Sequence, residues 1–253
     1  MIKCKLNINA GGIFSKYIFG IKNAILHEAD SYYLNVVDIA RTNSDIFDNI
    51  LEQTLLFDDT IDSDNIINEV NCEHLGNYTK FNPIEDSPNL SKYSEIIKKF
   101  KIKKELLDEV EYYQNKFNID ESTVGVHIRL TDMNLYHGND YGWLSFEDFK
   151  SKMDPDVKYF VASDNYESLK KLKELYGDNI NYVDGLIRSE LENDDTSTMF
   201  LNNPVVFKNK QFWHDAFLEM LLLSKCSKLI CRTSDLSNVS IIYSETIKEV
   251  IRL

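Results

Sequence analysis

Three short polar clusters in this chain each close an apolar run. VGVHIRL ends in His127 and Arg129, with Asp132 just beyond. YFVAS ends in Ser163, followed by Asp164 and Asn165. LICRT is followed by Ser234, Asp235 and Ser237 and contains Arg232 and Thr233. The last cluster has the chemistry of an anion site, because it combines hydroxyls with the free backbone N–H groups of a helix start. An arginine at the end of a buried strand adds a planar, permanently charged fork suited to phosphate. Each cluster also has a plain structural reading. Arg-x-x-Asp at a strand end can be an ion pair, and Ser-Asp-Asn and Ser-rich turns are common helix caps. Glu219, inside an apolar helix, could face solvent. The coincidence of all these features on one predicted rim favours binding.

The elements that must position that rim are read from periodicity. TVGVHIRL and VKYFVAS are short, nearly continuous apolar strands, as expected in the middle of a parallel sheet. YESLKKLKELYG is a helix ending on Gly177. NINYVDG is a third strand, and a polar loop spans about 186–210. FWHDAFLEMLLLSKC is a largely buried helix, SKLICRT a fourth strand, and SNVSIIYSETIKEVI a closing helix. Ligands of open α/β sheets lie beyond the carboxyl ends of the strands, where the three clusters fall.

The first half carries a weaker version of the same alternation. Ile2, Cys4, Leu6 and Ile8 alternate as in a strand. Gly11-Gly12 breaks the chain before a helix from about Tyr17 to His27. SYYLNVVD is a second strand, and SDIFDNILEQTLL a helix capped by Ser44 or Asp45. Residues from about 58 to 91 read as polar loops. Leu106, Leu107, Val110, Tyr113 and Phe117 then form the apolar stripe of a further helix. The expected fold is α/β, two Rossmann-like halves with a cleft between them. Residues 1–118 form the first half and 119–253 the second.

The chain has 253 residues and a formal net charge of -13, with 43% hydrophobic and 27% charged residues. This composition fits one large or two small globular domains. It argues against a broad basic face for nucleic acid. No apolar run approaches the ~20 residues of a membrane span. The opening MIKCKLNINA lacks the apolar core of a signal peptide. Cys4, Cys72, Cys226 and Cys231 have no framework spacing, so free thiols and a cytoplasmic location are expected. Cys72 and His74 have no second pair of ligands nearby, and no metal site is expected.

The three clusters resemble, in order and approximate spacing over about 123–244, the motifs of the α1,2-, α1,6- and protein O-fucosyltransferases. VGVHIRLTD resembles their His-x-Arg-x-x-Asp. YFVASDN resembles a strand ending in Ser/Thr-Asp-Asp. EMLLLSKCSKLICRTSDLS resembles their third motif, an acidic residue five before a Ser, then a strand and Ser-Ser/Thr-Phe-Ser. GGIFSKYIF in the first half is only partly similar to the Gly-Gly-Leu-Gly-Asn-Gln opening of the α1,2 enzymes. The resemblance implies a two-Rossmann (GT-B) fold and a GDP-sugar donor, usually GDP-fucose. It also implies inversion at the anomeric carbon, a glycan acceptor, and no cofactor or required metal. By position it places Arg129 on the β-phosphate and leaving diphosphate, and His127 and Glu219 on the guanine. It places Asp164 and Ser234 in the nucleotide pocket, which also takes in Asp132, Asn165, Arg232, Asp235 and Ser237.

Three positions depart from the pattern. Asn165 replaces the second Asp, and Leu130 replaces the second Arg of many relatives. Asp235 stands where they carry a phosphate-binding hydroxyl, and a carboxylate there repels a diphosphate unless Arg232 offsets it. The α1,6 enzymes place a Glu base ten residues after the motif His. Here that position is His137, and Asp140 is the nearby alternative.

Overall fold

A computed structural model of the chain describes residues 2–8, 13–36, 46–53, 66–71, 87–131, 143–189 and 210–253. Two parallel sheets organise these residues. The first half contains β1 (Ile2–Ile8), α1 (Ile13–His27), β2 (Ser31–Val36), α2 (Ile46–Ile50), β3 (Ile66–Asn71), α3 (Ser87–Ile97) and α4 (Lys104–Lys116). Its sheet has the order β2-β1-β3. The second half contains β4 (Val124–Ile128), α5 (Phe146–Lys150), β5 (Tyr159–Ser163), α6 (Tyr166–Tyr176), β6 (Ile180–Asn181), α7 (Lys210–Leu223), β7 (Lys228–Cys231), α8 (Asp235–Tyr243) and β8 (Glu249–Arg252). Its sheet runs β6-β5-β4-β7-β8, all parallel.

The period of two along the strands sends alternate residues to two covered faces. Val126, Ile128, Tyr159, Val161 and Ile230 pack on the α5 and α6 side with Phe149, Leu169 and Leu172. Phe160, Ala162, Leu229 and Cys231 face the other side, against α7 and α8. There α7 comes close to β4. A Cβ on Gly125 would sit 3.1 Å from methyl carbons of both Leu223 and Leu229, so glycine permits this approach.

Helix α7 is buried almost all round, including Trp213, Phe217, Leu218, Met220, Leu221 and Leu222. That is the expected state of a helix apolar on every face. The reason is its place between the sheets. Phe217 stacks on Phe14 of α1 with centroids 4.8 Å apart and meets Tyr17 at 5.6 Å. A single continuous core therefore runs from β1 and α1 through α3 and α4 to α7 and α8.

Several elements differ from the sequence reading. Helix α1 begins at Ile13, just past the glycine pair, which brings Phe14 onto Phe217. Helix α2 stops at Ile50 because the next residues are drawn into backbone pairing: Leu51 bridges Ile102, and Glu52 N–H donates to the Lys101 carbonyl at 2.6 Å. The polar stretch 58–91 contains a strand, β3, paired in parallel with β1, and the start of α3. The Ser87-Pro88 pair opens that helix, since proline suits a first helical turn. Tyr93, Ile96 and Ile97 are its buried stripe. On α4, Leu106 and Val110 are buried but Leu107 is 40% exposed. The third strand of the second half, β6, has only two residues. The closing helix ends at Tyr243. The Ser244 hydroxyl accepts from the N–H groups of Thr246 (3.0 Å) and Ile247 (2.9 Å), turning the chain into β8 beside β7.

Cys4, Cys226 and Cys231 are buried free thiols, and Cys72 lies outside the described residues, as does His74. Among the described residues no helix is long and apolar enough to cross a membrane.

Candidate functional site

The order β5-β4-β7-β8 sets the carboxyl ends of four strands side by side, so the three polar clusters share one rim. The chain has five arginines, and four of them belong to this rim. Arg129 follows β4, Arg232 follows β7 and Arg252 ends β8, while Arg188 donates from Nε to the carbonyl of Ser163 at the end of β5 (2.9 Å). In an acidic chain whose other cations are mostly lysines, planar permanent cations are gathered where a parallel sheet binds ligands.

His127 lies in the central strand and is buried. Its Nδ1 is 2.7 Å from Ser237 Oγ and 3.3 Å from Ser234 Oγ. Ser237 Oγ also lies 3.2 Å from the Arg232 carbonyl and 3.0 Å from Ser234 Oγ, so the imidazole nitrogen and the two hydroxyls form one buried hydrogen-bonded cluster. Burial pushes the His127 pKa down to about 3, helped by the charges of Arg129 and Arg252. The ring is neutral at any ordinary pH. Arg252 acts from two strands away because His127, Cys231 and Arg252 are successive register partners across the sheet. Ser234 caps α8, its hydroxyl accepting from Ser237 N–H at 3.2 Å. The three side chains therefore bind the end of β4 to the start of α8.

Asp164 does the same for the loop that carries Arg129. Its carboxylate accepts from the N–H of Leu130 (3.3 Å) and of Thr131 (3.4 Å) and from the Thr131 hydroxyl. Arg129 itself is half-buried at the start of that loop. Asn165 is fully buried and caps α6, accepting from Ser168 N–H at 2.8 Å. The departure at this position is thus a residue well suited to the cap it forms.

Glu219 does not face solvent. It is buried on α7, and its Oε1 pairs with Arg188 Nη2, the two side chains being 11% and 4% exposed. Asp215, one turn earlier on the same face, accepts from Ile187 N–H at 3.2 Å. The two carboxylates hold the 187–188 segment, which Ser189 also ties to Asp164 and Tyr166 through backbone hydrogen bonds. Burial raises the Glu219 carboxyl to about 7. Arg188 pulls it down, and the charges of Asp215 and Asp164 push it up. A carboxyl in this state can hold a hydrogen-bond donor in a dry setting.

Asp235 is the first residue of α8, half-buried, with Ser234 rather than Asp235 as the cap. Arg232, three residues earlier, is 1% exposed. Asp132, His137 and Asp140 lie outside the described residues. Among the described residues no group of three or more His, Cys, Asp or Glu could hold a metal ion. Sequence reasoning missed Arg188 and Arg252. Arg188 sits in a loop without periodicity, and Arg252 ends a segment read as helix. A shared signal was available, namely the scarcity of arginine in the chain.

No protein-family model matches the chain, and no curated protein sequence matches it. Solved structures do. NodZ alpha-1,6-fucosyltransferase from Bradyrhizobium, co-crystallized with GDP, aligns over 96% of this chain and 92% of its own, with 12% identity and a TM-score of 0.53. A variant of Arabidopsis thaliana FUT1 in complex with GDP aligns over 99% of this chain and 70% of its own, with 11% identity and a TM-score of 0.51. POFUT1 in complex with GDP-fucose aligns over 99% and 97%, with 9% identity and a TM-score of 0.50. The resemblance carried by the three motifs is thus matched, over nearly the whole length, at the level of the fold: this chain has the fold of these fucosyltransferases.

Proposed function

We propose that the protein is an inverting glycosyltransferase that moves fucose from GDP-fucose to a hydroxyl of a glycan acceptor. The observation that carries this reading is the gathering of four of the five arginines at the carboxyl rim of the second sheet. The shared fold and the motif order agree with it. The donor lies against residues 119–253 and the acceptor against 1–118, with the cleft between these halves.

In the reaction the acceptor oxygen attacks the anomeric carbon as the bond from that carbon to the diphosphate oxygen breaks. The departing GDP takes the bonding electrons, and Arg129 with the start of α8 stabilises the added charge. The acceptor's proton passes to a base, for which His137 and Asp140 are the candidates. His127 and Glu219 hold the guanine, and Asp132, Arg232, Ser234 and Ser237 shape the donor pocket. Asp164 and Asn165 set its backbone. The arginines serve in place of a divalent ion, and no cofactor takes part. The buried thiols suit a reducing, cytoplasmic setting.

Guanine presents N1–H and N2–H side by side, and the Glu219 carboxylate can accept both. GDP should therefore bind more tightly than UDP or ADP. Calorimetry with the three nucleotides tests the reading, and equal affinities, or none, would sink it.

One observation favours a second reading, a non-catalytic nucleotide- or glycan-binding relative. Asp235 puts a carboxylate in the first turn of α8, where a diphosphate would need neutral donors. If its charge faces the diphosphate, Asp235→Ser tightens GDP binding. Arg232→Ala then weakens binding in the parent protein more than in the Asp235→Ser background. Unchanged GDP affinity in the single variant, without coupling to Arg232, removes this reading's support.

A further inference from the structure

A carboxylate buried on an apolar helix needs a cation. Glu219 receives one from outside its own element, through a loop of otherwise nondescript sequence. The arginine that supplies it is itself pinned. Its Nε donates to the Ser163 carbonyl at 2.9 Å, and its neighbours Ile187 and Ser189 are tied by backbone N–H to the Asp215 side chain (3.2 Å) and the Asp164 carbonyl (2.9 Å). Its guanidinium is thus fixed by the end of β5 before it reaches the carboxylate. Among the described residues Arg188 is the only hydrogen-bond partner of the Glu219 carboxylate, and it takes Oε1 alone. A carboxylate has about four lone-pair sites, so Oε2 and the remaining lone pair of Oε1 can still receive two donors.

We propose that Arg188 is a positioning residue for base recognition, orienting the buried Glu219 carboxylate toward the paired N–H donors of guanine. This deepens, and rests on, the reading of Glu219 as the base acceptor. The charged groups acting on Glu219 are Arg188, Asp215 and Asp164. The last two favour its protonated form, so Arg188 alone opposes them. Without Arg188 the carboxyl would keep its proton to higher pH, lose half its acceptor capacity, and be free to turn.

Calorimetry of the full chain with GDP, inosine diphosphate and UDP separates the possibilities. Inosine diphosphate lacks the 2-amino donor. The parent protein should prefer GDP over both. Arg188→Met should weaken GDP binding about tenfold or more, the scale of one charge-assisted hydrogen bond. It should nearly erase the distinction from inosine diphosphate and leave UDP binding little changed. Arg188→Lys should recover part of the GDP affinity. The pH at which GDP affinity is half restored should move upward in the Met variant, because deprotonated Glu219 is the binding form.

In a Glu219→Gln background, where Arg188→Met leaves no buried carboxylate unpaired, the same change should cost no further affinity. Tighter GDP binding by Arg188→Met would make Arg188 a competitor of the base and overturn the proposal. Undiminished discrimination in that variant, or an equal loss in the Gln background, would also overturn it. If the parent protein itself fails to prefer GDP over UDP, the reading of Glu219 fails instead.

Discussion

Replacing Arg129 with alanine is expected to abolish sugar transfer while leaving the fold intact. The residue begins the loop after β4, and the loop's shape is secured by other groups. Asp164 accepts from the N–H of Leu130 and Thr131 and from the Thr131 hydroxyl, and Leu130 and Thr131 are themselves buried. The arginine side chain can therefore be removed without releasing the backbone that carries it. In the proposed reaction, what is lost is a planar cation beside the charge that grows on the departing diphosphate. Losing one preorganised donor of this kind costs about 10²–10³ in turnover. The charge of an arginine on a leaving diphosphate puts the present case at or beyond the upper end. Arg129→Lys should recover little, because an ammonium cannot make the forked contact. Single-turnover release of GDP from GDP-fucose in the presence of acceptor reads the effect, with the denaturation midpoint as the control for folding. A folded Ala variant as active as the parent refutes the role. A second consequence can be read in the same protein. Arg129 contributes to holding His127 neutral, so its removal should let the imidazole titrate at a higher pH, though burial keeps it low.

Phe217→Ala should be among the most destabilising single changes in the chain, at about 3–5 kcal/mol. The ring is fully buried on α7. It stacks on Phe14 at 4.8 Å and meets Tyr17 at 5.6 Å, and Tyr17 in turn packs on Phe47 and Phe100. One side chain from the second half thus seats an aromatic cluster belonging to the first. Truncation removes transfer free energy and leaves a cavity lined by rigid rings, which collapse poorly. Phe217→Leu should cost much less, because most of the volume is retained. Urea unfolding followed by far-UV circular dichroism and by tryptophan fluorescence should give coincident transitions in the parent, since the core is continuous across the two sheets. Two separate transitions in the parent, or a cost for Phe217→Ala below about 1 kcal/mol, would show that the halves are energetically independent.

Sequence alone determined β4, β5 and β7 and the polar turns that follow them. The apolar runs ending at His127, Ser163 and Cys231 are local signals. They are short, continuous and followed by polar residues, as expected of strands covered on both faces. The amphipathic stripes of α4 and α6 are equally local. Pairing was not legible, because a strand's existence depends on a partner distant in sequence. IINEVN becomes β3 only beside β1, and EVIR becomes β8 only beside β7. The residues 51–53 leave their helical pattern because residues near Ile102 offer them a ladder.

The same reason divides the site. That His127, Arg129, Asp164 and Ser234 belong to one rim followed from strand ends and chain order. The same local pattern marked Asn165 and Ser234 as helix caps, but that Asp164 secures the Arg129 loop and that Asp235 is left in the first turn came only from the fold. Arg188 and Arg252 reach the rim from a loop and an edge strand, and no periodicity marks either. Burial of Glu219 created the need for a cation, and only the folded chain shows that Arg188 meets it.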